Sequence, residues 1–343
     1  MLTIFCLVSR QAMANVLPVF MYKPERVVLF TTPEEAHCAD NLERLFKSYK
    51  ITVHRKDNLD AYDYIKFKET VKQELDKQPD DVWLNVTGGT KLMALAAYEA
   101  FAEKDKNIFY CNTERNQIIH LYPKLETEKL TLNLSVEDYL NAYGYRILHS
   151  KSDELNPDYE RLFKLLVQFN ITYKFSEFLD KFRKEYTDKK QSKTFNDKKY
   201  SIFQIQKTPN GFVLFVNKEK FKFNDDKFLM GDWLEYLMFY FLKSKSISPM
   251  IGVKIISSGD VENEIDLVFI KDYQLYLISC KSGRATDPNK DIYEIETLRN
   301  IAGGTFGKAF LFTTQPLTKR IEQRAKELHI QSINLSNLNA LTF

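Results

Sequence analysis

Glu264-Ile265-Asp266-Leu267-Val268-Phe269-Ile270 and, after only Lys271, Asp272 and Tyr273, Gln274-Leu275-Tyr276-Leu277-Ile278-Ser279-Cys280-Lys281 decide how the carboxyl-terminal part of this chain folds. Both runs are rich in branched and aromatic residues, and the short polar break reads as a hairpin turn. Side chains alternate along a strand. If Ile270 pairs with Leu275, Asp266 lies opposite Ser279, and Lys281 points to the same face as Ser279. A slip of one residue would turn one set away from the other.

Upstream, Gly231-Asp232-Trp233-Leu234-Glu235-Tyr236-Leu237 opens an apolar helix on which Asp232 and Glu235 share a face at i, i+3. Carboxylates held together bind a hard cation such as Mg²⁺ or Mn²⁺. Such an ion polarises a phosphate and activates water, while a lysine ammonium offsets the charge that develops on the phosphorus centre. These residues therefore point to metal-dependent phosphodiester cleavage. The plain alternative makes Asp266 a solvated strand residue, Lys281 a surface lysine and Glu235 part of a polar helix face.

The arrangement resembles the PD-(D/E)xK nuclease superfamily, in which a helix glutamate precedes a strand aspartate and then an acid-x-lysine strand. The resemblance implies that Glu235 is the helix acid, Asp266 the principal metal ligand and Lys281 the lysine that orients water or stabilises charge. The backbone carbonyl of Cys280 would complete the metal shell. Ser279 departs from the pattern by standing where the family has an acid. Either Glu294 or Glu296 of the next helix supplies that acid, or the metal site is weakened or lost.

A second signal lies in the amino-terminal half. Asp81 to Val86 reads as a buried strand, Thr87-Gly88-Gly89-Thr90 as a turn and Lys91 to Glu103 as a helix. A glycine pair there lets backbone N–H groups approach a ligand, and a helix amino terminus favours anions. A Walker loop would need glycine at Leu84, and GxGxxG is absent, so neither a nucleoside triphosphatase nor a dinucleotide enzyme is indicated. Thr3 to Val8 reads as a first strand, followed by Ser9-Arg10-Gln11 and Asn15. The combination resembles a CARF domain, the Rossmann-like sensor of CRISPR-associated proteins that binds cyclic oligoadenylate. The resemblance implies a ligand site at Ser9, Gln11 and Asn15 and at Thr87, Gly88, Gly89, Thr90 and Lys91, with Thr113 a weaker candidate.

The bulk properties are permissive. A chain of 343 residues has room for two or three cores. Lysine and arginine total 49 against 46 acids, a formal charge of +3, so any basic groove must be local. Cys6, Cys38, Cys111 and Cys280 lack CxxC spacing and read as thiols of a reducing cytoplasm, not a zinc site. Neither a signal peptide nor a membrane span is expected.

In the middle, Leu134 to Ile147 reads as helical, Lys151 to Pro157 as a polar boundary and Tyr159 to Tyr186 as two amphipathic helices. A charged loop follows over Thr187 to Lys199, then a hairpin over Ser201 to Phe223. Beyond Lys281, a helix over Asp291 to Ala302, a turn over Gly303 to Lys308, a strand over Ala309 to Thr313, a helix over Lys319 to His329 and a last strand over Ser332 to Leu335 are expected.

The expected fold is α/β throughout. A Rossmann-like CARF domain with a mainly parallel sheet spans 1–145, a connector of helices and a hairpin spans 146–224, and an α/β PD-(D/E)xK domain of restriction-endonuclease type spans 225–343. The combined resemblance, to the CARF nucleases of type III CRISPR systems, implies a cytoplasmic homodimer. Cyclic oligoadenylate, expected as cyclic tetra-adenylate, would activate Mn²⁺- or Mg²⁺-dependent cleavage of DNA or RNA. The rival is a ligand-sensing regulator whose carboxyl-terminal domain binds nucleic acid with weak or no catalysis.

Overall fold

The computed structural model describes residues 1–78, 81–153, 155–188, 194–282, 288–338 and 341. In the amino-terminal part, β1 (Thr3–Leu7) and β2 (Arg26–Phe30) are buried at nearly every position, as strands covered on both faces must be. With β3 (Thr52–Lys56), β4 (Val82–Asn85), β5 (Asn107–Asn112), β6 (Gln117–Tyr122) and β7 (Glu126–Lys129) they form one sheet ordered β3-β2-β1-β4-β5-β6-β7. The first five in that order are parallel, and β6 and β7 run antiparallel.

Alternation along β1 divides the layers. Ile4 and Cys6 pack with α1 (Met13–Tyr22), α2 (Ala36–Ser48) and α5 (Val136–Ala142), whereas Phe5 and Leu7 pack with α3 (Tyr64–Leu75) and α4 (Lys91–Ala102). Strand order reverses between β1 and β4. The loops after these two strands therefore flank the crevice where such sheets bind ligands.

The helix expected over Leu134 to Ile147 is shorter. Helix α5 ends at Ala142, Gly144 takes a φ of +83°, and the chain resumes as β8 (Tyr145–Ser150). A Cβ on Gly144 would sit 2.7 Å from the Asn41 amide, so the reversal needs glycine twice over.

Helices α6 (Pro157–Gln168) and α7 (Thr172–Asp188) occupy the predicted amphipathic stretch. Of the charged segment after them, residues 189–193 lie outside the described residues. The expected hairpin is β10 (Phe203–Thr208) with β11 (Gly211–Val216); β9 (Thr194–Asn196) and β12 (Glu219–Phe223) extend it to a four-stranded antiparallel sheet.

A π-helical turn, Phe228–Asp232, runs into α8 (Trp233–Ser244). Strands β13 (Met250–Ser257), β14 (Glu262–Lys271) and β15 (Gln274–Lys281) follow, then α9 (Pro288–Leu298), a π-helical turn (Arg299–Gly303), β16 (Lys308–Thr313), α10 (Lys319–Glu327) and β17 (Ile330–Asn334). The sheet order is β17-β16-β15-β14-β13-β8, so β8 caps the edge of the carboxyl-terminal sheet. One face of that sheet shares a continuous core with α1, α2 and α5, and the other packs on α8 and the four-stranded sheet. Ile270 does pair with Leu275, and the turn is tightened to Asp272 and Tyr273, both at positive φ, as a two-residue hairpin demands. Among the described residues no helix is long and apolar enough to cross a membrane.

Candidate nuclease centre and ligand crevice

The paired ladder of β14 and β15 runs from Lys271–Gln274 to Leu267–Ile278. One residue further, a side chain takes over: Asp266 Oδ2 accepts the Cys280 backbone N–H at 2.7 Å and the Ser279 hydroxyl at 3.2 Å. Facing is altered here too. Ile251 and Leu267 belong to the core beneath α8, while Val253 and Ile265 belong to the opposite one. Gly252, at φ +56°, lies between the first pair and the second and supplies the local freedom.

Asp266 has its carboxyl pushed above the usual range by burial, against the opposing pull of the Cys280 N–H, the Lys281 charge and the Ser279 hydroxyl. Glu235, near the start of α8, is pushed up to about 8, first by burial and then by the charge on Asp266. Its Oε2 is buried and accepts no hydrogen bond from the described residues. A carboxylate whose charge disfavours ionisation of its neighbour, and a neighbour with an orphaned oxygen, are what a bound cation would relieve. Among the described residues, however, no three His, Cys, Asp or Glu side chains converge closely enough to hold an ion by themselves.

Lys281 leaves β15 toward α9, where its Nζ lies 3.6 Å from Asp291 Oδ1 and 3.9 Å from Glu294 Oε2. Glu294 therefore comes to the lysine, and Asp291, which the sequence reading passed over, comes closer. A third group enters from a distance. Lys151, just past β8, places its Nζ 3.2 Å from Asp232 Oδ2, 3.5 Å from Glu235 Oε2 and 4.0 Å from Glu264 Oε1. Burial works against its charge, but Glu235 and then Asp232 outweigh that and raise its pKa.

The shift at Glu235 has a measurable consequence. A carboxyl whose folded pKa lies above its unfolded value binds more protons in the native state, so stability falls as pH rises between the two. The metal-free protein is expected to lose on the order of 4 kcal/mol between pH 4.5 and 8, and added divalent metal to restore it. Thermal melts across that range with chelator and with Mn²⁺ check this; a flat or rising profile in chelator contradicts it.

In the amino-terminal half, the predicted ligand residues take several different places. Ser9, Gly89 and Thr90 line a cavity of about 660 Å³ together with Val8, Arg10 and Met93. Asn15 and Thr87 brace the crevice from behind instead. Asn15 Nδ2 donates to the Leu7 carbonyl at 2.9 Å, Asn85 Nδ2 donates to Asn15 Oδ1 at 2.9 Å, and Thr87 Oγ1 donates to Asn85 Oδ1 at 2.5 Å while accepting the Cys111 N–H at 2.7 Å. Gly88 has no room for a side chain, since its Cβ would meet the Leu7 carbonyl oxygen at 2.1 Å. Gly89 has a φ of +70°.

Thr90 caps α4 by accepting the Met93 N–H at 3.2 Å, and Lys91 is exposed in its first turn. Gln11 faces a separate cavity of about 320 Å³, shared with His37, Tyr143, Asn300 and Gly304. Thr113 sits in the turn between β5 and β6 and lines neither cavity. The sequence reading missed Thr32 to Glu35 and Asn58 to Tyr62, which complete the first cavity. Their signal was positional: both loops follow parallel strands at the same sheet edge as Ser9 and Gly89.

Contacts join the two halves. Tyr139 of α5 donates to the Gly303 carbonyl at 2.8 Å, Tyr143 fills the space a Cβ on Gly304 would need, and Tyr273 of the β14–β15 turn donates to the Leu130 carbonyl at 3.0 Å.

Residues 3–139 match the Card1 CARF domain family, and residues 223–342 match the Card1-like endonuclease domain family. The fold is similar to Can2 from Sulfobacillus thermosulfidooxidans in complex with cyclic tetra-adenylate, at 25% identity and a TM-score of 0.79, covering 99% of this chain and 98% of that one. It is similar to VC1899 from Vibrio cholerae at 18% identity and a TM-score of 0.79, covering 99% and 95% of the two chains. A type III CRISPR defence DNA nuclease activated by cyclic oligoadenylate matches at 16% identity and a TM-score of 0.61, covering 99% of this chain and 51% of that one. No curated protein sequence matches.

Proposed function

Given that this chain is a CARF nuclease, with a Card1 CARF domain joined to a Card1-like endonuclease domain, we propose that cyclic tetra-adenylate activates it to cut nucleic acid by metal-dependent PD-(D/E)xK chemistry. In this reading residues 1–145 sense and 225–343 cut, while 146–224, expected as a connector, also lends β8 to the edge of the nuclease sheet. The observation that carries the reading is Asp266, a half-buried carboxylate fixed at the end of the β14–β15 ladder by the Cys280 N–H and the Ser279 hydroxyl, with Lys281 beside it and its charge felt by Glu235 of α8.

The residues present suit a hard cation. Mg²⁺ and Mn²⁺ are commonly held by one or two carboxylates with waters and substrate phosphate making up the shell. Asp266, Glu235 with its orphaned Oε2 and the Cys280 carbonyl would hold it. When bound, such an ion supplies a polarised phosphate and a water of lowered pKa. The chain's own contributions follow from its geometry. The Cys280 N–H and the Ser279 hydroxyl aim Asp266, so Ser279 acts here as an orienting donor in place of an acid. Lys281, held toward α9 by Asp291 and Glu294, offers positive charge to the phosphate.

Ser9, Arg10, Gly89 and Thr90 would take the activator, with the α4 amino terminus favouring its phosphates. Can2 is described with cyclic tetra-adenylate bound, and a ring of repeated nucleotides suits a two-fold site made by two copies of the crevice in a homodimer. The tyrosine contacts between the halves give binding a mechanical route to the nuclease, provided the ligand favours one arrangement.

Incubating the protein with Mn²⁺ and labelled DNA or RNA, with and without cyclic tetra-adenylate, tests the reading. Cleavage should rise by about 5- to 150-fold with activator, the range of ordinary coupling energies. Equal cleavage in both tubes removes the switch.

A further inference from the structure

Lys151 belongs to no part of the nuclease pattern, yet it holds a central place in the acidic cluster. Its ammonium lies within 4.0 Å of Asp232, Glu235 and Glu264, which come from the π-helical turn, α8 and β14. The alkyl chain is seated over Gly252, where a Cβ would stand 2.4 Å from the lysine Cδ; the lysine thus occupies a slot made for it. The side chain is 29% exposed. One positive charge meets three carboxylates there, and Glu235 Oε2 still accepts no hydrogen bond among the described residues. At 3.5 Å the lysine therefore neutralises that oxygen by proximity without satisfying it.

We infer that Lys151 is an internal counter-cation of the nuclease centre, which holds the acids together in the metal-free protein and competes with the divalent ion for the Glu235 carboxylate. Two cations cannot share one carboxylate oxygen without strong repulsion at this separation. The lysine is hydrogen-bonded to Asp232 at 3.2 Å, a seat it keeps without Glu235, whereas the ion would bridge Glu235 to Asp266; metal entry therefore pushes the ammonium off Glu235 toward Asp232. Lys151 directly follows β8, the strand that leads out of α5 and onto the edge of the nuclease sheet. A shift of that strand would carry the competitor with it. The inference rests on the metal-dependent reading above.

The test uses the full-length chain and Mn²⁺ alone, with affinity measured by calorimetry. Lys151→Met keeps the alkyl packing over Gly252 and removes the charge; it should tighten Mn²⁺ binding by about tenfold or more and lower the melting temperature of the metal-free protein. Lys151→Arg, which keeps the charge, should stay at the wild-type affinity. Unchanged or weaker Mn²⁺ binding in Lys151→Met overturns the inference. Asp266→Ala in the same titration separates the two claims, because Mn²⁺ binding that survives it removes the metal site itself. Should Lys151→Met fail to fold, acetylation of Lys151 in the wild-type protein gives a second readout. Its rate, followed by mass spectrometry, should rise when Mn²⁺ replaces chelator, and a constant or falling rate overturns the proposal.

Discussion

Asp266→Asn is expected to lower the cleavage rate by about three orders of magnitude or more while leaving activator affinity unchanged. The substitution conserves shape. Its amide oxygen can still accept the Cys280 N–H that Asp266 Oδ2 accepts at 2.7 Å, so the end of the β14–β15 ladder stays in place. Only the charge is lost, and with it the ability to hold a cation against Glu235. Desolvation raises the pKa of Asp266, and removing its charge spares that desolvation cost. The metal-free variant should therefore melt no lower than wild type. A gel assay with labelled nucleic acid, run beside calorimetry with cyclic tetra-adenylate, decides the matter. Cleavage retained at wild-type rate would show that the catalytic centre lies elsewhere, and the regulator reading would gain if wild type and variant were equally inert.

Gly88→Ala should weaken activator binding by about a hundredfold and destabilise the fold by about 1–3 kcal/mol. The added methyl would lie 2.1 Å from the Leu7 carbonyl oxygen, and the backbone fixes the position of both atoms. No side-chain rotation can relieve that contact. Either the end of β1 or the Thr87–Lys91 loop must move, and the same Leu7 oxygen is the acceptor for Asn15 Nδ2. Since the two loops together form the crevice, a displacement of a few tenths of an ångström is felt by a ligand touching both. Urea melts and a binding titration measure the two effects, while basal Mn²⁺-dependent cleavage without activator should persist. Normal affinity in a fully folded Gly88→Ala would mean that these loops do not contact the ligand.

Much of the fold was legible because it depends on neighbours in sequence. The alternation in Glu264 to Lys281 and the short polar break over Lys271 to Tyr273 set the β14–β15 register, and that register brings Ser279 against Asp266. Likewise Asp81 to Glu103 carries its own strand, tight turn and helix cap. What went astray was also local in cause but ambiguous in signal. Leu134 to Ile147 has apolar residues enough for a helix throughout, and only the reversal at Gly144, made possible by the missing side chain beside Asn41, hands the second half to a sheet formed by residues about a hundred positions further on. The hairpin over Ser201 to Phe223 grew to four strands for a related reason: edge pairing costs little once a hairpin exists, and its partners need no pattern of their own.

By itself, then, the order of residues determined the types of most elements, the pairing of the hairpin and the set of acids and lysine at its end. Tertiary structure alone decided three things: that Asn15 and Thr87 stand behind the crevice as braces, that Asp291 lies closer to Lys281 than Glu294, and that Lys151 sits among the acids. The physical reason is distance along the chain. Lys151 and Asp232 are 81 residues apart, joined only because β8 crosses to the far sheet, and charge acts through space without leaving a periodicity to be read.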